Sequence, residues 1–149
     1  MQKITPFLWF NNNNAEEAMN YYVSVFKNAR IAAIQHFPND THVGLVGTLE
    51  INSQTLYLFN GGSASFTFNE SISLMVACKD QAEIDHLWEK LSAVPESEAC
   101  GWCKDKFGIS WQIVPDNLHE YMASKSAIQA LWNMKKLDIA KLEAARKKA

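Results

Sequence analysis

Two cysteines at positions 100 and 103, in Cys100-Gly101-Trp102-Cys103, are the first residues whose types and spacing could do chemistry. In a thiol–disulfide site such a pair opens a helix, whose N-terminus lowers a thiol pKa. Here a charged turn, Lys104-Asp105-Lys106-Phe107-Gly108, follows instead, and then an alternating stretch from Ser110 to Val114. A zinc site needs two more ligands. Cys78 is the remaining cysteine, and there is no second Cys-x-x-Cys and no His-x-x-x-His. The pair therefore reads as reduced strand cysteines. The four histidines, His36, His42, His86 and His119, are scattered, and a surface role is expected for each.

Other catalytic signatures are absent. No Gly-x-Ser-x-Gly places a serine on a nucleophile elbow. No Gly-x-Gly-x-x-Gly or phosphate loop points to a dinucleotide, ATP or S-adenosylmethionine. The two arginines, Arg30 and Arg146, make a bidentate phosphate clamp hard to build. What remains is aromatic: Phe7, Trp9, Tyr57 and Phe59 fall on strand positions opposite those that would face helices. Core packing and ligand lining draw on the same residue types, so both readings stay open here.

The elements that position these residues follow from periodicity. Ile4 to Phe10 reads as a strand, with Leu8 and Phe10 on one face and Phe7 and Trp9 on the other. Asn11 to Asn14 breaks it, Asn14 with Glu17 resembles a helix cap, and Ala15, Ala18, Met19, Tyr22 and Phe26 form a helical stripe. Ile31 to Phe37 is a second strand and Pro38-Asn39-Asp40 a loop. His42 to Ile51 and Gln54 to Asn60 make a hairpin around Asn52-Ser53. Asn60-Gly61-Gly62-Ser63-Ala64-Ser65 is the most flexible-looking stretch and the natural midpoint.

The pattern then restarts. Ser71 to Cys78 alternates, Asp80 with Glu83 repeats the cap, and Ile84, Leu87, Trp88 and Leu91 repeat the stripe. A loop at Val94-Pro95-Glu96, strand material at Glu98 to Cys103, the Asp105–Gly108 turn and the Ser110 to Val114 strand complete it. In that last strand Trp111 and Ile113 share one face and Ser110, Gln112 and Val114 the other. Two such units can pair and curl into a cup whose open faces line a cavity. The rest, Leu118 to Ala149, is rich in Ala, Lys, Glu and Leu, with helical runs at Ala127 to Lys136 and Ile139 to Lys147. It holds seven of the fourteen Lys and Arg, and it reads as a solvated appendage packing through Leu131, Trp132, Met134 and Leu142.

At 149 residues, 48% hydrophobic and 20% charged, the chain has the composition of an ordinary globular protein. A net charge of −2 argues against a nucleic-acid partner. No apolar run is long enough to span a bilayer, and the first residues lack a signal peptide's apolar core. A cytoplasmic location and no membrane partner are expected.

Several blocks in combination carry a resemblance. Ile4-Thr5-Pro6-Phe7-Leu8-Trp9-Phe10 with Ala15-Glu16-Glu17-Ala18-Met19-Asn20-Tyr21-Tyr22, Phe59-Asn60-Gly61-Gly62, Phe66-Thr67-Phe68-Asn69-Glu70, Cys100 through Pro115 and Lys135-Lys136-Leu137-Asp138-Ile139 resemble the PhnB-like proteins. These belong to the vicinal oxygen chelate (glyoxalase/bleomycin resistance) superfamily, and the closest group is labelled 3-demethylubiquinone 3-methyltransferase-like. The resemblance implies an α+β fold of paired βαβββ modules forming a cup-shaped sheet, commonly as a homodimer. The expected layout is one domain over residues 1–117, with modules of about 1–62 and 63–117, and a C-terminal helical extension over 118–149.

Metal-using relatives place four His or Glu ligands on the cavity faces. The matching positions here are Phe7, near Tyr57, Ser71 and Gln112, a poor set for a divalent ion. Cofactors are therefore not expected, and a divalent metal is disfavoured. The leading expectation is a binding protein for a small, largely apolar or aromatic molecule, lined by Phe7, Trp9, Tyr57, Ser71, Ser73, Met75, Ser110 and Gln112. The alternative is a metal-dependent glyoxalase- or dioxygenase-like enzyme using His36, His42 or Glu50.

Overall fold

Alternation sets the first strand. In the computed structural model, which describes residues 2–38 and 44–148, β1 (Phe7–Phe10) buries Leu8 and Phe10 and leaves Phe7 and Trp9 open. It starts later than Ile4 because Pro6 has no N–H to give. The Pro6 carbonyl instead accepts from Tyr57 N at 3.0 Å. Helix α1 (Ala15–Val25) follows, with Ala15, Ala18, Met19 and Tyr22 buried along one stripe. Phe26 lies one residue past the helix, as its C-cap, and still joins the core. The expected side-chain cap from Asn14 is not made; a distant residue supplies it. Buried Asn60 accepts from Ala15 N through Oδ1 at 2.9 Å, tying the start of α1 to the last strand of its sheet.

Strands β2 (Ala29–His36), β3 (Leu45–Ile51) and β4 (Gln54–Asn60) complete the first unit, Met1–Thr67. The expected start of β3 at His42, and most of the Pro38-Asn39-Asp40 loop, lie outside the described residues. Asn52 and Ser53 have φ of 50° and 70°, the left-handed pair that a two-residue hairpin requires. Sheet order is β1-β4-β3-β2, with β1 parallel to β4 and the other pairs antiparallel. Leu49, Leu56 and Leu58 are buried on the α1 side, where a Cβ on Gly47 would meet the Met19 thioether.

The second unit, Phe68–Ala149, repeats the plan with three strands: β5 (Ser73–Cys78), β6 (Trp102–Lys104) and β7 (Ser110–Pro115), in order β5-β7-β6. Again the strand before the helix runs parallel to the last strand. Helix α2 (Gln81–Leu91) buries Ile84, Leu87 and Leu91, and Asp80 caps it as expected, accepting from Glu83 N at 2.9 Å. β5 begins at Ser73 rather than Ser71 because Asn69 Oδ1 takes the Ser71 N–H in a turn. The strand expected from Glu98 is shortened. Pro95–Ser97 forms one 3-10 turn, and Cys100-Gly101, with φ of 53° and 87°, makes a tight turn between Ala99 and Trp102.

Beyond β7 come α3 (Leu118–Met122), α4 (Lys125–Trp132) and α5 (Ile139–Lys147). The α5 bounds and its Asp138 cap match the expectation. α4 is displaced from Ala127–Lys136 because Ser124 caps it early and the chain then leaves the helix. The carbonyls of Met134 and Lys135 accept from Cys100 N and Gly101 N at 2.7 and 2.8 Å, bonds a continuing helix could not make. Tyr121, Ala127, Leu137 and Leu142 enclose Val114, with Leu131 and Met134 packed against them. Trp132 was expected in that contact and is 67% exposed, because it ends α4 where the chain turns away. Among the described residues no helix is long and apolar enough to cross a membrane.

One buried charge organises the second unit. Asp105 is 1% exposed, and its Oδ1 accepts from Phe107 N at 2.8 Å and Ile109 N at 3.1 Å. Its Oδ2 accepts from Trp111 Nε1 at 2.8 Å. The backbone closes the turn from Asp105 N to Ile109 O, and Gly108 supplies the required φ of 93°. Replacing Asp105 by Asn should be costly although it is nearly isosteric. An amide has one acceptor oxygen, so its NH₂ must face an N–H. The expected loss is about 3 kcal/mol, read as a lower urea midpoint at unchanged slope. A loss under about 0.5 kcal/mol, within the range of ordinary surface substitutions, would show that the carboxylate does not anchor the turn.

Candidate functional site

The open face of the first sheet is aromatic. Phe7 and Trp9 on β1 stand in register with Tyr57 and Phe59 on β4. Phe7 meets Tyr57 edge-on at 6.1 Å between ring centroids, and Trp9 meets Phe59 at 5.1 Å. Phe66 stands nearly perpendicular to Trp9 at 5.1 Å, and Phe37 lies 6.2 Å from Phe59. The sequence indicated the first four of these rings. Phe37 was read as the end of the second strand but not assigned to this face, and Phe66 was missed because it lies in the connection between β4 and β5, where parity says nothing. Phe7, Phe37 and Phe66 are each about half exposed, at 54%, 46% and 51%. A group of large apolar side chains left open in this way is unusual for a face with no role.

The rings are held. Trp9 Nε1 donates to Gly62 O at 3.2 Å, and a Cβ on Gly61 would run into both the Trp9 indole and the Phe59 ring. The asparagine run does more than break β1. Asn13 Oδ1 accepts from Gly62 N at 3.1 Å, and Asn11 Nδ2 donates to Phe66 O at 2.7 Å. The Asn60–Ser65 stretch that looked flexible is thus tied at Asn60 and Gly62, and again just past its end at Phe66. Farther along the same sheet Arg30 Nε and Glu50 Oε2 pair at 2.9 Å, so Glu50 faces a cation of its own chain.

On the second unit, Ser73 and Met75 of β5 stand opposite Ser110 and Gln112 of β7. Gln112 Nε2 donates to Ser73 Oγ at 2.9 Å. Met75 is exposed, and Ser110 is buried. Ser71 lies in the turn before β5, exposed and off the sheet. Val114, expected on this mixed face, is covered by the C-terminal helices. Lys104 pairs with Ser110 across the β6–β7 ladder and holds Glu70 Oε2 at 2.6 Å. That hydrogen bond, more than any other cause, lowers the Glu70 pKa.

The donor set does not fit a metal. At the four positions expected to match a relative's ligands, Phe7 cannot ligate, Tyr57, Ser71 and Gln112 are neutral, and Ser71 lies off the sheet. Among the described residues no three His, Cys, Asp or Glu side chains are grouped to hold an ion. His36 pairs with Leu45 and Glu50 with Arg30, five residues farther along β3 and so roughly 17 Å away. His42 lies outside the described residues. Glu83 and His86 share α2 at i and i+3, with His86 exposed.

The cysteines do not form a redox site either. Cys100 occupies the tight turn rather than a strand, where its Sγ approaches Trp132 O at 3.6 Å. Cys103 lies buried in β6 opposite Trp111. Burial, then the Asp105 charge, pushes its thiol up to about 12. Burial, then Glu83, does the same to Cys78.

Two strand–helix–strands units, each pairing its first strand parallel to its last, define the vicinal oxygen chelate class of fold. The profile described as 3-demethylubiquinone-9 3-methyltransferase matches residues 2–114. A solved PhnB protein from Bacillus cereus is 33% identical, with a TM-score of 0.64 over 76% of this chain and 99% of that one. The PA1353 protein from Pseudomonas aeruginosa is 18% identical, with a TM-score of 0.58 over 77% and 98%, a likeness of fold alone. None of the curated proteins compared is similar in sequence. The chain belongs to the 3-demethylubiquinone-9 3-methyltransferase family, the PhnB-like branch of that superfamily.

The thiol environments give a direct test. At pH 8 the native protein should show one thiol, Cys100, reacting readily with a disulfide reagent, and all three after unfolding. Two fast thiols, or a thiol titrating below pH 7, would restore the redox reading.

Proposed function

We propose that this protein binds a small, flat, largely apolar or aromatic molecule and does so without the four-ligand metal set. The observation that carries the reading is the open aromatic face of the first unit, with its rings fixed by Asn11, Asn13, Gly61 and Gly62. Each 100 Å² of apolar ligand surface removed from water contributes about 2.5 kcal/mol. Fixed rings also spare the entropy of ordering them on binding. The family's description names a demethylated ubiquinone, and a ring-bearing apolar molecule of that kind suits such a face. Methyl transfer is not part of the reading, because no glycine motif for a methyl donor is present. The second unit, taken by itself, offers hydrogen-bonding groups at Ser73, Ser110 and Gln112 that would select ligands by their polar groups rather than tighten them.

The test is a thermal-shift screen with hydrophobic metabolites and with divalent metals. Trp9→Ala should weaken binding of a metabolite hit about tenfold, or ~1.4 kcal/mol, while Gln112→Ala should change which compounds are accepted. Stabilisation that survives Trp9→Ala, Tyr57→Ala and Gln112→Ala alike, in folded variants, would sink the reading. Near-stoichiometric Zn, Ni, Mn or Fe by elemental analysis would favour the metal-dependent alternative. A homodimer is part of the same proposal. Sheet edges are liabilities that need cover, and Met122 and Trp132 stand exposed on the C-terminal helices. Light scattering should give twice the chain mass at micromolar concentration, and a monomer would count against it.

A further inference from the structure

One row of the three-stranded sheet places Ser73 opposite Ser110, and Ser110 opposite Lys104. Residues paired across strands point to the same side with Cβ atoms about 5 Å apart. Two hydroxyls and the stem of a lysine therefore share one short strip, with the ammonium at the end of a flexible chain. Gln112, two positions along β7, donates into it at Ser73 Oγ.

One feature of this strip has no structural explanation, and a second is held from a solvent-exposed partner. Ser110 is 1% exposed, and its Oγ has no hydrogen-bond partner among the described residues. A buried hydroxyl without a partner is unfavourable, and alanine would fill the same space without that cost. The Lys104 ammonium, in turn, is held from outside the sheet. Glu70 reaches it with Oε2 at 2.6 Å, from a turn where its side chain is 57% exposed against 21% for the lysine. The carboxylate thus satisfies the ammonium and leaves the neighbouring hydroxyl unserved. An ion pair with one partner so open to water is held weakly, so an incoming anion can compete for the lysine.

Resting on the ligand-binding reading above, we propose that Lys104, Ser110 and Ser73 form a carboxylate subsite, with Glu70 an internal occupant that a ligand's carboxylate displaces. One carboxylate oxygen takes the Lys104 ammonium and the other accepts from Ser110 Oγ, which gains its missing partner. A phosphate would call for more positive charge. The strip has one cation, and both arginines are engaged elsewhere, Arg30 with Glu50 and Arg146 with Glu120 and Glu143. A planar monoanion matches what is offered.

The probes are benzoate and its neutral analogue benzyl alcohol, titrated by calorimetry into the full chain and three variants. Glu70→Gln should tighten benzoate up to about fivefold, the equivalent of removing a weak competing pair, and leave benzyl alcohol unchanged. Lys104→Gln should erase the preference for benzoate, and Ser110→Ala should reduce it. Circular dichroism melts check each variant. Glu70 lies in an exposed turn, so Glu70→Gln decides the matter even where Lys104→Gln fails to fold. Equal binding of the two probes to the wild type, or benzoate affinity indifferent to Glu70→Gln, overturns the subsite while leaving the broader reading intact. Neither probe binding, together with no apolar hit in the thermal-shift screen, overturns both.

Discussion

The Asp105 carboxylate is the constraint on which the second unit depends. A charge this deep is tolerated because three N–H groups converge on it, two from the turn backbone and one from the indole of Trp111. Those bonds fix the β6–β7 connection, and the register of β7 then places Ser110 beside Ser73 and Lys104 and Gln112 beside Met75. They also fix Trp111 against Cys103, whose thiol is kept protonated by burial and by the same carboxylate. One acceptor therefore sets the geometry of the polar strip on one side of the sheet and the inertness of a cysteine in its core.

The first unit reaches comparable order with uncharged groups. Its open face would be a loose collection of rings if β1 and β4 were the only supports, since aromatic side chains on a strand retain freedom at χ1 and χ2. The asparagines at 11, 13 and 60 remove that freedom indirectly. They hold the glycine strap and the start of α1, and the strap in turn holds the indole. Gly61 is required there by close approach, since any side chain would occupy the space of Trp9 and Phe59.

Much of this was legible in the sequence because it rests on periodicity. Parity assigned Phe7, Trp9 and Tyr57 to one face, Asp80 to a cap, and β4 and α5 to their observed bounds. What could not be read are the long-range polar bonds that override local signals. Asn14 has the sequence signature of a cap and Asn60 does not, yet Asn60 makes the bond from across the sheet. α4 ends early because a turn more than thirty residues upstream claims two of its outgoing carbonyls. Asp105 gave one signal that periodicity does not use: an acid heading a turn that closes on glycine, with an indole six residues on.

The same distinction bears on how a family label relates to chemistry. The strand pattern that places a chain in this family is a requirement of packing, satisfied by the buried faces of β1, β4, β5 and β7. The reactions of a metal-using relative depend on the opposite faces, whose residues the fold leaves unspecified. Here those faces carry phenylalanine, tryptophan, tyrosine, serine and glutamine. Such side chains remove apolar surface from water and direct hydrogen bonds, but they do not hold a divalent cation or shift a proton near neutral pH. Packing thus accounts for membership of the family, while any chemistry is a matter of the residues on the open face of each unit.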